Sequence, residues 1–582
     1  MKTNTTLEIT TPTPPPHWAL LQRRLLIAQS TAIEEFYAQY FDERGYLLCV
    51  PRWGGDDGPD DAAENLLNWT LLYALGAPDI VLELYKRGWE GHLKQYTEAK
   101  SVDVPFAREG MYFREFPVMF DWMHHSEGLS AFFLQGLSDP YDPLYQQRMR
   151  RYCGFYMNED PLAENYDPEH KVIRSMFNGS RGPLMRKATG LDWAGDPIDV
   201  ERFGLLHEER SYEEMVAHFK DYNDVVGDHP LNLCTTTLAL NAYMLSGESK
   251  YRDWLVGYVD AWVQRTEDNG GIIPTNIGLD GTIGGACDGK WYGGVYGWGF
   301  SVEVPQTGEL AHRPSFLWRA PYGFGNALLL TGDQRYVETW RGVIDKVNEN
   351  AKEIDGQTHY PHMHGDDGWY DYTVRPFDDG ALEVYYWSMN PDDRTRVASD
   401  PWIKYLNGDD PQYPVKALQE GLESVRAKAE SIRTDTSTPD TRLSDIMNAS
   451  NPATTETLTQ LMLGGLPTGR VGFPLHCRLR YFDPIRRRAG IPQDVAALVK
   501  EMNGNTVTVS LVNLDATTNR TVIVQGGAYA EHQFHTVSAG GESVAIEDAS
   551  FKVRLAPGCG TRLKIKMKRY ANTPTLAFPW DR

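Results

Sequence analysis

Several loop-rich stretches hold polar side chains dense enough to do chemistry. In FDWMHHSEGLSAFF (Phe120 to Phe133), His124, His125 and Glu127 precede an apolar helical run, and Ser126 is placed to cap it. In a cleft, His125 and Glu127 bind substrate or move a proton. In VVGDHPLNLCTTTLALNAY (Val225 to Tyr243), Asp228, His229 and Asn232 head a strongly apolar helix with Pro230 in its first turn. That position points His229 and Asn232 at a ligand. The stretch Asn269 to Phe300 mixes glycines, which let backbone approach a ligand closely, with Trp291 and Trp298 as stacking faces and Tyr292 and Tyr296 as phenols. Asp280 lies in the same stretch. Between Tyr166 and Asp196 stand Lys171, Arg174, Arg181, Arg186 and Lys187, and there Asn178 and Arg181 are suited to hold a carboxylate, arginine doing so bidentately. A further cluster, His359, His362 and His364 followed by Asp366 and Asp367, matches no zinc signature and reads as a polar substrate loop. No metal and no cofactor are expected.

These residues need elements to position them. From Trp18 onward the chain alternates helical periodicity with Gly/Pro/Asp-rich loops. LSGESKY (Leu245 to Tyr251) repeats as LTGDQRY (Leu330 to Tyr336), and weaker copies lie at Thr70 to Tyr85, Ala131 to Tyr145 and Ala381 to Val397. Each reads as a helix ended by a left-handed glycine, an acidic residue opening the next helix, and an aromatic packing back on the pair. The irregular spacing disfavours a solenoid of fixed period. After about Ala489, segments such as TVTVSLVNL (Thr506 to Leu514) and FKVRLAPG (Phe551 to Gly558) alternate with period two between turns, as in an antiparallel sandwich. The expected organisation is a disordered Thr/Pro-rich arm over 1–17, a mainly α toroid of helical hairpins over 18–489, and a β-sandwich over 490–582.

With its repeated L-[ST]-G-[DE]-x-[KR]-Y motif, its Trp/Tyr/Gly loops and its C-terminal strands, the chain resembles the (α/α)6-type toroid carbohydrate-active enzymes. These include six-hairpin glycoside hydrolases, such as unsaturated-glucuronyl hydrolases, and toroid polysaccharide lyases. The resemblance implies a glycan substrate and two reactions. In a uronate lyase, His229 with Tyr292 or Tyr296 supplies acid and base, while Asn178, Arg181 or Asn232 neutralises the carboxylate. The order of His before Tyr is similar to that of toroid alginate lyases. In a hydrolase two carboxyl groups flank the bond, with Glu127, Asp192, Asp228, Asp280 and Asp288 as candidates. The basic stretch and the His/Tyr abundance favour β-elimination. A non-catalytic glycan-binding protein is the remaining reading. A terpene cyclase is disfavoured, because DGPDD (Asp57 to Asp61) reads as a turn.

Composition limits the rest. The 582 residues carry 57 Lys+Arg against 79 Asp+Glu, a net charge of −22, which opposes binding to nucleic acid or to an anionic membrane surface. Hydrophobic residues make up 41% and aromatics 12%, so the chain is globular and not an acidic disordered one. Six scattered cysteines read as reduced. The N-terminus lacks the apolar core of a signal peptide, so a cytoplasmic location is expected unless a signal has been removed. Oligomeric state is left open.

Overall fold

The computed structural model describes residues 5–53, 58–101, 105–186, 226–294, 296–299, 301–304, 309–312 and 317–582. Lys187 and the hydrolase candidate Asp192 lie outside them, as does Asp57.

Two kinds of helix follow from two kinds of sequence. Helices α1 (His17–Tyr40), α2 (Pro59–Glu64), α3 (Trp69–Leu75), α4 (Asp79–Glu98), α5 (Trp122–Gly128), α6 (Ser130–Ser138) and α7 (Pro143–Phe155) form the first half. The second half holds α8 (Thr236–Ser246), α9 (Ser249–Asp268), α10 (Pro321–Thr331), α11 (Arg335–Asn348), α12 (Ala381–Ser388) and α13 (Tyr413–Thr434). Helices α3, α6, α8, α10 and α12 are apolar almost all round and nearly wholly buried, the mark of inner helices. Helices α4, α9, α11 and α13 keep a charged face for solvent.

The inner helices follow one another side by side. Helix α3 packs on α6 and α6 on α8. Asn326 of α10 donates to Thr236 and Thr237 of α8 at 2.8 and 3.1 Å, and Trp387 of α12 fills the space left by Gly325 of α10. A sixth inner segment, Glu456–Leu463, returns to the start. Tyr386 of α12 donates to its end at Gly464, and Thr455 donates to Asn68 beside α3. The outer helices close in the same way, since α1 packs along α13 and Arg433 holds Glu35 at 2.7 Å.

The repeated motif folds as its chemistry requires. Gly247 and Gly332 take φ of 71° and 70°, each N–H closing the preceding helix, while Tyr251 and Tyr336 are buried on the hairpin. In these hairpins the short turns gather at the C-terminal end of the inner helices, so the long loops gather at their N-terminal end.

Two five-stranded sheets cover the C-terminal end. Their strands are β1 (Thr6–Ile9), β2 (Leu479–Asp483), β3 (Arg488–Ala489), β4 (Val495–Met502), β5 (Thr506–Asn513), β6 (Arg520–Gly526), β7 (Gln533–Ala539), β8 (Glu542–Asp548), β9 (Ser550–Leu555) and β10 (Gly560–Lys568). The orders are β1-β9-β6-β2-β3 and β4-β5-β10-β7-β8. Phe534 and Phe551, one from each sheet, meet edge to face at 5.5 Å. Two expectations change here. The N-terminal stretch is not a free arm: Thr6 to Ile9 pair in parallel with Lys552 to Leu555, and Ile9 is buried. The sheets also begin at Leu479, ahead of residue 489, because β2 is buried on both faces and shows no alternation to read.

Candidate active site at the loop end of the helical ring

Short helix α2 begins at Pro59, whose missing N–H costs nothing in a first turn. It carries Asp60, Asp61 and Glu64, and the i, i+4 spacing puts Asp60 and Glu64 on one face. Helix α2 lies against α5 at Gly128, where a Cβ would come within 3.2 Å of Asp60 Cα. That close approach brings Asp60 beside His124 and Glu127.

Helix α5 is capped by Asp121, which accepts from the N–H groups of Met123 and His124 at 2.9 and 3.1 Å. Ser126, expected as the cap, sits inside the helix and donates back to Trp122 O at 2.7 Å. Arg319, from the turn leading into α10, donates to Glu127 at 2.5 Å and to Ser126 at 3.3 Å. Both charged groups of that pair are buried.

A third contribution rises from the β side. The chain leaves Gly464, turns at Gly469–Gly472 and returns to Cys477, with Leu466, Val471, Phe473 and Leu475 buried on the way. Gly472 has φ of 58° and lies against Ser130 at the head of α6, where any side chain would collide. Phe473 stacks on Tyr322 at the head of α10. At the tip, Arg470 grips Glu64 with Nε and with Nη2 (2.6 Å) and lies 3.7 Å from Asp61. Tyr322 also donates to Glu383 of α12 at 3.1 Å.

The loop end therefore gathers a buried cluster of acids faced by Arg319, Arg470 and His124. Burial, with Glu127 adding to it and His124 opposing, raises the Asp60 carboxyl to about 6. Burial and then Asp60 and Glu64 push Asp61 well above the usual carboxylate range. Burial also raises Glu64, against the pull of Arg470. Burial alone would lower His124, but Asp121, Asp60 and Glu127 outweigh it and lift the imidazole to about 9. Crowded carboxyl groups of this kind titrate together, and the set keeps a proton near neutrality. Glu64 and Arg470 also line a side cleft of about 540 Å³ with Asp445, Asn448 and Lys428.

The residues singled out in the sequence fall in several places. Glu127 is in the acidic cluster. His125 lies under it, wholly buried, stacked on Phe116 and donating from Nε2 to Asn178 O at 2.7 Å; burial lowers its pKa to about 4. Asn178 is itself internal, joined to Tyr156 and Ser175 at 2.5 Å each. His229 is 3% exposed, its Nδ1 accepts from Leu231 N at 3.1 Å, and burial lowers it to about 3. It faces the interior because the 3-10 turn Pro230–Thr235 precedes α8 and packs beneath α5. Asn232 donates to Asp228 at 2.8 Å, and Asp228 is held further by Tyr258, Ile173 and Arg265. Arg181 is at the surface, paired with Glu109. Asp280 sits in an exposed turn with Thr282 (2.6 Å), and Asp280 and His170 line a cleft with Gln264 of the outer helix α9.

The Gly/aromatic loop does assemble a surface. Trp291, Tyr292 and Trp369 surround His364 at 4.6, 4.7 and 4.9 Å, and Tyr292 reaches Asp366 at 2.5 Å. Trp298 and Tyr296 are buried beneath it, Trp298 donating to Ile273 O at 2.9 Å. The histidine-rich stretch is thus a β-hairpin, Gln357–Gly365 with Gly368–Thr373, buttressing this loop. Asp60, Asp61, Glu64, Arg319, Arg470, Tyr322 and Glu383 were not selected from the sequence. The one local signal among them is the acidic pair and its i+4 partner in PDDAAE.

Among the described residues no helix is long and apolar enough to cross a membrane. Five of the six cysteines, all but Cys287, are buried. No curated protein matches the chain. The solved structures similar to it include two of the GH76A alpha-1,6-mannanase from Salegentibacter sp. HEL1_6. One is 10% identical and covers 75% of this chain and 99% of that one, with a TM-score of 0.26. The other, an inactive variant in complex with alpha-1,6-mannotetrose, is also 10% identical and covers 75% and 98%, again with a TM-score of 0.26. A score of that size does not establish a shared fold. A family model matches residues 6–361 and 397–459, well over half of the sequence, and the chain therefore belongs to the family described as Domain of unknown function (DUF8034).

Proposed function

We propose that the chain is a glycoside hydrolase working at the acidic cluster of the loop end. The observation that carries this reading is the set of buried carboxyl groups, Asp60, Asp61, Glu64 and Glu127, with Asp60 raised to about 6 and Glu127 held by Arg319. Glycoside hydrolysis needs one protonated and one ionised carboxyl group about a single bond. Asp60, in its protonated form, gives its proton to the departing sugar oxygen. Glu127, salt-bridged to Arg319, serves the other side of the bond. Trp291, Tyr292 and Trp369 supply faces on which sugar rings stack.

β-Elimination from a uronic-acid glycan is supported less well. Its acid and base would be His229 and Tyr292 or Tyr296, yet burial lowers His229 to about 3, which makes it a weak base, and the Tyr292 hydroxyl is engaged by Asp366. Arg181 is spent on Glu109 at the surface. The test is a panel of neutral and uronic-acid glycans assayed for new reducing ends. The wild-type chain should release them. Asp60→Asn and Glu127→Gln should each lose about 10²–10⁴-fold, the usual worth of a proton-transferring group. Full activity in both variants would overturn the assignment.

A further inference from the structure

The opposite end of the ring, where the inner helices meet the sheets, contains an arginine with no hydrogen-bond partner. Arg478 is 0% exposed. Among the described residues, none of Nε, Nη1 or Nη2 meets an acceptor. Its guanidinium carbon lies 4.8 Å from the centre of the Tyr386 ring, and its backbone N–H donates to Leu463 O and Gly464 O. The neighbouring arginines differ. Arg569 donates to Gly504 O (3.0 Å), Tyr386 O (3.1 Å) and Ser388 O (3.3 Å), and Arg480 to Ala528 O (2.9 Å) and Leu137 O.

The surroundings of Arg478 offer donors. His476 Nδ1 accepts from Trp387 Nε1 at 3.1 Å, and His532 Nδ1 accepts from Tyr570 N at 3.2 Å. Each ring is thereby the Nε2–H tautomer, so its second nitrogen donates. Glu531 is the nearby acid. Its Oε2 accepts from Tyr529 N at 2.8 Å, and its Oε1 lies 3.8 Å from His532 Nε2. No carboxylate of the described residues pairs with Arg478, and a guanidinium can only donate. A buried, uncompensated cation of this kind calls for a counter-charge.

We infer that Arg478, with Arg569, His476 and His532 around it, forms an internal site for a small inorganic anion of the chloride class, between the last turn of α12 and the sheets. A buried guanidinium without an acceptor, lying against the Tyr386 ring, suits one small monovalent ion. The site is remote from the acidic cluster, so it joins the two parts of the chain and takes no part in turnover. Burial and the charges of Arg478 and Arg569 hold His532 well below its ordinary pKa, as expected of an excess of positive charge.

The test uses the whole chain at constant ionic strength, with chloride exchanged for gluconate. An anion bound only by the folded state raises the melting temperature as its concentration rises. The wild type should melt higher in chloride, Arg478→Met should melt alike in both salts, and Glu531→Gln should keep the chloride effect. Crystals of the wild type in bromide should show an anomalous peak within hydrogen-bonding reach of the Arg478 guanidinium, a readout that needs no variant. Identical melting of the wild type in both salts, or bromide crystals without that peak, would overturn the site.

Discussion

The two ends of the helical ring are built from the same helices and carry opposite chemistry. At the loop end the inner helices begin, and acids crowd there: Asp60, Asp61, Glu64, Glu127 and Glu383. At the sheet end the inner helices finish, and arginines take up their last carbonyls. Arg488 reaches Tyr73 O and Ala77 O, Arg480 reaches Leu137 O, and Arg569 reaches Tyr386 O and Ser388 O. The arginines follow the helix dipole, as do Asp60, Asp61 and Glu383 in first turns, since it favours anions at a helix start and cations at its end. Glu64 and Glu127 instead sit at the ends of α2 and α5. The difference lies in how far each end is compensated. Most of the sheet-end arginines satisfy backbone oxygens and do structural work. At the loop end, burial and neighbouring acids raise the Asp60 and Asp61 carboxyl groups, an arrangement by which a site can hold a proton at a cost in stability.

That contrast can be broken by substitution, and the largest effect is expected at the buried pair. Arg319→Met should destabilise the fold by about 3–5 kcal/mol in a denaturant titration, because Glu127 is left buried and unpaired. A loss under about 1 kcal/mol would mean that Glu127 finds water, and the loop end would then be more open than described.

Next comes Asp60→Asn, with the opposite sign. The folded-state pKa of Asp60, about 6, lies above its ordinary 3.8. Its contribution to stability is therefore fully present below about pH 4 and lost as pH rises through about 6. At pH 7 the fold carries the cost of ionising it, so Asp60→Asn should stabilise by about 1–3 kcal/mol while activity falls. At pH 4 the gain should vanish. Destabilisation at pH 7 would show that Asp60 is a structural acid.

Third, His124 is raised from 6.5 to about 9, so its stabilising effect is complete below pH 6.5 and lost as pH rises through 9. The wild type should lose melting temperature across that window and His124→Asn should not; parallel curves would contradict the pairing with Asp121. The smallest effect is expected at the surface. Arg181→Ala, which breaks an exposed pair with Glu109, should change stability by no more than about 1 kcal/mol and leave turnover unchanged. A large rise in KM on uronic-acid substrates would restore Arg181 to the site.

What the sequence reveals divides along the same line. The hairpins were legible because the information is local: a glycine at positive φ and an aromatic four residues on, as at Gly247 and Tyr251. The later strands were legible because one face alternates, whereas β2, buried on both faces, was not. Of the acidic cluster only Glu127 was selected. Asp60 and Asp61 read as a turn, since the groups that make them unusual, His124, Glu127 and Arg470, come from distant segments. For His229 the place at the head of an inner helix is legible, and its burial is not. The head of an inner helix does point to the loop end, but a 3-10 turn folds the residue inward before α8 begins.

The most direct test of the central claim is turnover in heavy-oxygen water, on whichever glycan of the panel releases reducing ends. Hydrolysis through the loop-end carboxyl groups predicts one labelled oxygen in the product and no new ultraviolet band, with both label and product lost in Asp60→Asn. An unlabelled product carrying the absorbance of a conjugated uronate, formed equally well by Asp60→Asn, would contradict the account.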